Sequence, residues 1–409
     1  MSRENKDLIV GLDIGTSKVV AVVAEVNDEG RLNVLALASQ ESKGLKKGVV
    51  VNIEETVGTI SRVIQDIELM ADCKVKDVYT GIAGSHIRSF NSTGMVAIKD
   101  KEVTSADIDR VIETARAMPI PTDQQTLHIL TQEFVIDGQD GIREPIGMSG
   151  FKLEVSVHIV TGSVAAVQNL IKSVRRCGLE VSDLVLQPLA SSYATLLDDE
   201  KDLGVCLVDI GGGTTDLAVF TQGAIRHTAV IPIAGDLITN DIAMALRTPT
   251  QHAEEIKINF GCAMNQLAAA EDSIEVAGVG DRPPRKLSQR ALADVIQPRI
   301  EELYQLIQDE LRRSGFENLL SSGIVITGGA AQMPGMIELG EEIFHMPVRL
   351  GVPRYKGSLD DMLDNPRYST VFGLLLEAQA QKKRGQKVAD TQDFKQVLNR
   401  MKSWFERNF

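Results

Sequence analysis

The chain has 409 residues, a formal net charge of −13 and 43% hydrophobic residues, values typical of an acidic globular protein. The negative charge argues against bulk nucleic-acid binding, and the length allows two or more domains with their own cores. The four cysteines show no CxxC spacing and the six histidines no HExxH or HxH spacing. We therefore expect reduced thiols in a cytosol and no metal cage built by protein side chains alone.

The first predicted elements are two apolar strands joined by a short polar turn, over residues 8–26. The turn reads DIGTSK and combines a glycine with two hydroxyl residues and a cation. Glycine lets several backbone N–H groups approach one small anion, and the hydroxyls and the ammonium add donors. The turn therefore predicts a phosphate loop with the candidate ligands Asp13, Gly15, Thr16, Ser17 and Lys18.

An amphipathic helix over 49–72 and a strand over 77–83 follow, and the pattern then changes. Residues 84–162 contain short β-like runs around one helix, which starts with a capping box at Thr104–Asp107. We interpret this stretch as a small inserted α/β subdomain.

A helix is predicted over 164–177, a strand over 181–186 and a second helix over 188–198. Gln187 lies at the junction between this strand and the second helix. A neutral amide at such a junction is suited to orienting a water toward a terminal phosphate, as in other nucleoside triphosphatases. The alternative is a buried amide that only caps the helix.

Residues 203–221, LGVCLVDIGGGTTDLAVFT, repeat the pattern of the first hairpin. The candidate phosphate ligands here are Asp209, Gly211, Gly212, Gly213, Thr214, Thr215 and Asp216. Two carboxylates would repel a phosphate unless a cation lay between them, so the pattern favours phosphates held with Mg²⁺ over an ordinary glycine hairpin. Two Asp-Ile-Gly turns of this kind suggest an internal duplication that clamps a phosphate between two halves.

The second half of the chain is mainly helical. Helices are predicted over 237–246, 250–260, 291–313, 336–344 and 368–381, strands over 322–327 and 348–350, and an irregular polar stretch over 266–290. Glu254 and Lys257 share one helix face, where the alternative to a ligand site is a solvated ion pair. Gly328 and Gly329 form a strand-to-helix turn whose backbone can lie against a base or ribose, a plain tight turn being the alternative.

The last predicted element is an amphipathic helix over 393–409 that follows a polar linker over 382–392. Basic residues occupy its flanks and polar side, and its apolar stripe consists of Phe394, Val397, Leu398, Met401, Trp404 and Phe405. Such a stripe usually packs into a core. The polar linker, the basic face and the terminal Trp favour an anionic membrane surface instead.

These motifs occur in the same order as in the actin, Hsp70 and sugar-kinase superfamily. The segments GLDIGTSKV, ELMADC, LASSY, VDIGGGTTDLAV, RPPR and TGGAAQMPG, together with the tail, resemble the FtsA family of bacterial cell-division proteins over essentially the whole chain. The resemblance implies an α/β fold, a duplicated actin-like (ribonuclease-H-like) two-lobed fold with two α/β insertions and a C-terminal amphipathic helix.

The resemblance also implies ATP or ADP bound with Mg²⁺ between the two lobes. Asp13 and Asp209 would act on the metal through waters, with no protein atom bound directly to it. Gln187 and Asp209 would be the catalytic residues of at most a slow ATPase. The residues against ribose and base would be Gly235, Glu254, Lys257, Gly328, Gly329, Ala330, Gln332 and Met333.

By the same resemblance, the protein would polymerise on the cytoplasmic face of the bacterial inner membrane and tether the FtsZ ring at the division septum. Arg285 and Arg299 in the second insertion would bind the FtsZ C-terminal peptide. Further expected partners are other copies of the chain, later division proteins such as FtsN, and anionic inner-membrane lipids. Two alternatives stay open: a sugar or small-acid kinase with the same phosphate hairpins, and a pilus-type actin-like assembly protein.

The predicted domain boundaries follow from the duplication and its insertions. They are lobe 1 (1–83, 163–198 and 365–381), its inserted subdomain (84–162), lobe 2 (199–235 and 302–364), its inserted subdomain (236–301), the linker (382–392) and the tail helix (393–409).

Overall fold

The computed structural model describes residues 8–27, 31–269, 273–278, 280, 283–357, 359 and 363–383. The predicted membrane-binding residues of the tail lie outside these ranges, namely Phe394, Val397, Leu398, Met401, Trp404 and Phe405. Most of the predicted linker lies outside them as well.

The first lobe is built on one five-stranded sheet. Its strands, with a small two-stranded ladder beside them, are β1 (Leu8–Ile14), β2 (Lys18–Val26), β3 (Leu32–Glu41), β4 (Leu45–Lys46), β5 (Val49–Val50), β6 (Asp77–Ile82) and, later in the chain, β11 (Glu180–Leu186). The order in the sheet is β11-β6-β1-β2-β3. The links β1–β2–β3 are antiparallel and the links β1–β6–β11 are parallel.

The second lobe repeats this plan. Its strands are β12 (Val205–Ile210), β13 (Thr215–Thr221), β14 (Ala224–Ile231), β17 (Ile324–Thr327) and β18 (Val348–Leu350). The order is β14-β13-β12-β17-β18, again with three antiparallel strands followed by two parallel ones. The duplicated fold that the two hairpins predicted is confirmed.

Helices pack against both sheets and also occur in both insertions. The α-helices of the described residues are α1 (Ile53–Ala71), α2 (Ser105–Arg116), α3 (Val164–Arg176), α4 (Gln187–Thr195), α5 (Asp198–Leu203), α6 (Gly235–Leu246), α7 (Thr250–Phe260), α8 (Gln289–Ser314), α9 (Met336–Phe344) and α10 (Ser369–Lys383). Short 3₁₀ helices lie at Glu317–Leu319, Ala330–Gln332 and Pro366–Tyr368. The helix predicted over 188–198 ends at Thr195, because Leu196 and Leu197 are extended, and the separate helix α5 that follows was not predicted. Among the described residues, no helix combines the length and apolarity needed to cross a bilayer.

The insertion in lobe 1 is an antiparallel sheet with one helix against it. Its strands are β7 (Arg88–Ala97), β8 (Gln124–Ile136), β9 (Gln139–Ile142) and β10 (Lys152–Ser163), in the order β7-β10-β8-β9. Helix α2 begins with the predicted capping box, in which the Thr104 hydroxyl accepts from the Asp107 amide and the Asp107 carboxylate accepts from the Thr104 amide. The subdomain has its own buried core between α2 and the sheet.

The insertion in lobe 2 contains α6, α7 and the N-terminal part of α8. It also contains a two-stranded hairpin, β15 (Ser273–Val276) and β16 (Arg285–Ser288). Our prediction of an irregular stretch over 266–290 is therefore wrong for these strands. At four residues each, the strands are too short for an alternating pattern to stand out from a polar loop.

Candidate functional site

An open cleft with an empty volume of about 1000 Å³ lies between the lobes, where the two hairpins meet. Most of the predicted ligands line it: Asp13, Gly15, Thr16, Ser17, Lys18, Gln187, Asp209, Gly211, Gly212, Gly213, Thr214, Asp216, Gly235, Glu254, Lys257, Gly328, Gly329 and Ala330. Three others do not line the cleft, namely Thr215, Gln332 and Met333. The Thr215 hydroxyl donates to the Ile233 carbonyl, and the Gln332 amide donates to the Gly329 carbonyl.

The two hairpins close in the same way and face each other. The Gly15 amide donates to the Lys18 carbonyl at 2.9 Å, and the Gly211 amide donates to the Thr214 carbonyl at 3.0 Å. A Cβ on Gly213 would lie 2.5 Å from Thr16 Oγ1, so only glycine permits this approach. The cleft is thus lined by glycines and hydroxyl side chains from both hairpins.

Three of the lining side chains are buried carboxylates, namely Asp13, Asp209 and Asp216. Burial raises the pKa of Asp13 to about 6, with Lys18 opposing the rise and Asp209 adding to it. Burial also raises the pKa of Asp209, against hydrogen bonds from Ser191 and Thr370, and raises the pKa of Asp216 to about 7. Asp216 Oδ1 is buried and has no hydrogen-bond partner among the described residues. A cation above these groups would favour their ionised forms.

Helix α4 ties the carboxylates of both hairpins together. Gln187 Nε2 donates to Asp13 Oδ1 at 3.0 Å, and Ser191 Oγ donates to Asp209 Oδ2 at 2.5 Å. The two side chains are four residues apart and share one face of the helix. Gln187 is therefore engaged with the cleft itself, in addition to being the first residue of the helix.

Lys18 is the cation of the first hairpin. Its ammonium donates to the Arg367 carbonyl and lies 4.8 Å from the centre of the Tyr368 ring. Burial lowers the pKa of Lys18 to about 8, although Asp13 opposes the shift. An anion in the cleft would favour the charged ammonium and oppose this lowering of the pKa.

The far end of the cleft is formed by α6, α7 and the turn after β17. Lys257 Nζ donates to the Gly235 carbonyl at 3.1 Å and to Glu254 Oε2 at 2.7 Å, and only 9% of Lys257 is exposed. Lys257 is thus not part of a fully solvated ion pair. Gly328 has φ +92°, and a Cβ there would lie 2.5 Å from the Ile210 carbonyl oxygen, which restricts the position to glycine.

Ile14, which lies inside the predicted DIGTSK turn, also lines the cleft. Five further lining residues were not predicted, namely Gly48, Ile258, Pro366, Arg367 and Thr370. The Gly48 amide donates to Thr16 Oγ1 at 3.0 Å, and Thr370 Oγ1 donates to Asp209 Oδ2 at 3.3 Å. These residues carry no motif of their own. Ser191, which donates to Asp209, was also not predicted. One feature of the sequence could have indicated it, namely its position four residues after Gln187 on the same helix face.

The two predicted partner-binding arginines lie in the second insertion. Arg299 donates to both carboxylate oxygens of Asp241, at 2.5 and 3.0 Å, and also contacts Glu302. Arg285 donates to the Leu246 carbonyl. Both arginine side chains therefore make hydrogen bonds within the insertion, which fix their positions without a partner.

The donor set of the cleft fits a nucleotide with Mg²⁺. Backbone amides, hydroxyls and Lys18 are suited to phosphates, while the buried carboxylates and the unpaired Asp216 oxygen favour a cation nearby. Within the described ranges, no group of three or more His, Cys, Asp or Glu side chains is arranged to hold a metal ion directly.

Solved structures with the same fold define the class of this protein. A chain of the PilM–PilN type IV pilus biogenesis complex gives a TM-score of 0.65 at 19% identity, covering 93% of this chain and 98% of that one. MreB5 of Spiroplasma citri bound to ADP gives 0.58 at 15% identity, covering 94% and 100%. The chain therefore has an actin-like fold, with two lobes around a cleft.

Sequence comparison then identifies the family. Residues 206–373 match the family model for cell division protein FtsA, and residues 84–161 match the SHS2 domain inserted in FtsA. Cell division protein FtsA of Pseudomonas aeruginosa is 57% identical over 100% of both chains, and that of Escherichia coli K12 is 42% identical over 99% of each. The chain belongs to the FtsA family of cell division proteins.

Proposed function

We propose that this FtsA-family protein is an ATP-binding assembly switch, which polymerises on the cytoplasmic face of the inner membrane and tethers the FtsZ ring there. The observation that carries the proposal is the pair of facing hairpins, whose carboxylates Asp13 and Asp209 are both held by α4. This arrangement suits a ligand that must contact both lobes at once, and such a ligand favours the closed state of a two-lobed protein.

Phosphates would lie against the backbone amides of the hairpins, with the hydroxyls of Thr16, Ser17 and Thr214 and the ammonium of Lys18 as further donors. Bound Mg²⁺ would supply the positive charge that neutralises phosphate oxygens. Ribose and base would lie at the end formed by Gly235, Glu254, Lys257, Gly328, Gly329 and Ala330, with Gln332 and Met333 just beyond. The solved structures of MreB5 with ADP and with AMPPNP are consistent with a nucleotide in this fold.

Gln187 would orient water in this cleft, and Asp209 would act through the water shell of the metal. The Gln187 amide is neutral and cannot remove a proton as a carboxylate base would, and its nitrogen is engaged with Asp13. We therefore expect ATP turnover to be slow, so that the bound nucleotide acts mainly as a switch.

Assembly and membrane binding would reinforce each other. One tail helix would bind anionic lipids reversibly, whereas a filament presents many tails and gains avidity. Self-association is supported by the likeness to MamK, solved as a double helical filament, with a TM-score of 0.53 at 15% identity over 91% of this chain. Arg285 and Arg299 would receive the FtsZ C-terminal peptide, and later division proteins such as FtsN would bind elsewhere on the surface.

Co-sedimentation of the full chain with anionic liposomes tests the proposal, with Mg·ATP, Mg·ADP or no nucleotide, and with an FtsZ C-terminal peptide titrated in. We expect the largest pellet with Mg·ATP, and peptide capture that disappears in an Arg299→Glu variant. Equal sedimentation in all three nucleotide conditions would contradict the switch. Sedimentation with ATP but without peptide capture would contradict the tether.

A further inference from the structure

Helix α4 begins without a cap from its own segment. Its N-cap residue, Leu186, is extended and has no side-chain hydrogen bond to offer, and Pro188 in the first turn has no N–H. The Leu186 amide instead donates to Nε2 of His128, at 2.9 Å. His128 lies on β8, in the subdomain inserted into lobe 1. The start of the helix that serves the cleft is thus held by a different subdomain.

We propose that His128 is a positioning residue of the cleft, which fixes the start of α4 and thereby places Gln187 at Asp13 and Ser191 at Asp209. The effect on nucleotide binding rests on the proposed function; the effect on α4 does not. No motif of the hairpins includes His128, and it does not line the cleft.

The chemistry of the contact defines the form of the imidazole. To accept from the Leu186 amide, Nε2 must be unprotonated, so His128 is neutral with its proton on Nδ1. Burial lowers the pKa of His128, against the charge of Asp183, and favours this form at neutral pH. A side chain with an acceptor at the same reach, such as glutamine, can replace it, whereas leucine cannot.

The side chain of Gln187 has little freedom to compensate for a shift of the helix. A Cβ on Gly81 would lie 2.8 Å from Gln187 Cγ, so the glutamine already rests against the backbone of β6. Its amide reaches Asp13 from this confined position. A displaced helix start would therefore change the contact with Asp13 directly.

His128 is also firmly supported. The same inserted sheet is bound to β14 of lobe 2, where His158 Nε2 contacts Thr228 Oγ1 at 3.0 Å and Gln132 Nε2 donates to the Ile225 carbonyl at 2.9 Å. The subdomain thus contacts lobe 1 at Leu186 and lobe 2 at β14. A support fixed at two places can hold α4 in one position relative to both hairpins.

The first test is hydrogen exchange of the full-length protein without nucleotide. In His128→Leu, we expect amides of residues 186–195 to exchange roughly three- to tenfold faster than in the parent, as loss of one hydrogen bond allows. His128→Gln is expected to keep the parent rate. Ser92→Ala is the matched control, because it removes a buried hydrogen bond to the Ala115 carbonyl inside the same subdomain, away from α4. Parent-like exchange in His128→Leu, or fast exchange in His128→Gln, would overturn the assignment.

The second test is a double-variant cycle on Mg·ATP affinity, measured by equilibrium titration. His128→Leu is expected to weaken binding roughly three- to tenfold, and Ser92→Ala to leave it unchanged. Combined with Gln187→Ala, the loss should be smaller than the product of the two single losses. A multiplicative loss would show that His128 does not act through Gln187. If the parent itself fails to bind Mg·ATP, the proposed function fails, and hydrogen exchange still decides the role of His128.

Discussion

At the scale of single residues, the cleft concentrates negative charge where solvent reaches it poorly. Asp13, Asp209 and Asp216 each have a raised pKa because burial penalises the ionised form. Lys18, whose charge favours the ionised forms of Asp13 and Asp209, has a lowered pKa because burial also penalises its charged form. Binding of Mg²⁺ and phosphate would stabilise these groups in their charged forms. Mg²⁺ would supply positive charge to the carboxylates and the phosphate, and the phosphate would supply negative charge to Lys18.

Asp216 should make the nucleotide-free protein less stable as the pH rises. Its pKa is about 7 in the folded chain and 3.8 as the ordinary value, so between these limits the folded state retains a proton that the unfolded state has lost. Asp216→Asn removes this titration. The free energy of unfolding of the variant relative to the parent should therefore increase from pH 5.8 to pH 8, by on the order of 1–2 kcal/mol.

Urea unfolding followed by circular dichroism would measure this difference. Circular dichroism is chosen over tryptophan fluorescence because the sole Trp belongs to the tail sequence. A constant offset between variant and parent at both pH values would mean that Asp216 does not titrate in this range.

Gly213→Ala should separate the two hairpins. The new Cβ would lie 2.5 Å from Thr16 Oγ1 and 3.0 Å from Lys47 Cα, so the lobes must move apart. We expect at least about a tenfold loss of Mg·ATP affinity by equilibrium titration, the equivalent of about 1.4 kcal/mol. Gly58→Ala is the control, because Gly58 lies within α1 with open space around its Cβ position. The control should keep its affinity and gain about 0.5–1 kcal/mol of stability.

At the scale of elements, the junction between the inserted subdomain and β14 depends on a buried neutral histidine. His158 is 1% exposed and contacts Asn91 Oδ1 at 2.7 Å and Thr228 Oγ1 at 3.0 Å. Burial lowers the pKa of His158 to about 4, and nearby His227 adds to the effect. The junction therefore holds a group that resists protonation only while it stays buried.

His158 should make the junction sensitive to acid. Below the ordinary pKa of 6.5, the unfolded state takes up a proton that the folded state refuses until about pH 4, so stability falls as the pH falls. When the pH is lowered from 7.5 to 5.8, the free energy of unfolding of the parent should fall by about 1 kcal/mol more than that of His158→Gln. His345→Gln makes the same replacement at an exposed site and should follow the parent. Denaturant melts at the two pH values measure the loss, and parallel losses in all three proteins would refute the role of His158.

At the scale of the whole molecule, the proposed function joins a nucleotide cleft to a tail at the opposite end of the sequence. Helix α10 ends at Lys383, and its N-terminal residue pair Ser369 and Thr370 reaches Thr327 and Asp209 beside the cleft. The helix that precedes the tail therefore begins beside the cleft. This placement would suit the proposed link between nucleotide, assembly and membrane binding.

The tail stripe should carry the membrane affinity. Trp404→Glu with Phe405→Glu places two charges on the apolar side, where each buried side chain contributes roughly 1.5–3 kcal/mol. We expect flotation with anionic liposomes to be lost. Asn399→Glu with Ser403→Glu adds the same charge on the polar side and should retain most of the binding. Undiminished flotation of the first pair would remove the tail from the proposed function.

The sequence by itself determined what is local or repeated. Asp-Ile-Gly after an apolar strand predicted both hairpins, their duplication predicted two similar lobes, and residues 84–162 were recognised as an insertion. These inferences succeeded because turn chemistry and hydrophobic periodicity are properties of neighbouring residues.

Only the tertiary structure decided which distant residues complete the cleft. Thr370 reaches Asp209 across the fold, Gly48 reaches Thr16, and His128 holds the helix that bears Gln187. Nothing in the segments around these residues sets them apart, because their roles come from the packing of elements far apart in the chain. The buried carboxylates illustrate the same division: sequence supplied the acids, and packing in the folded protein set the pKa of each.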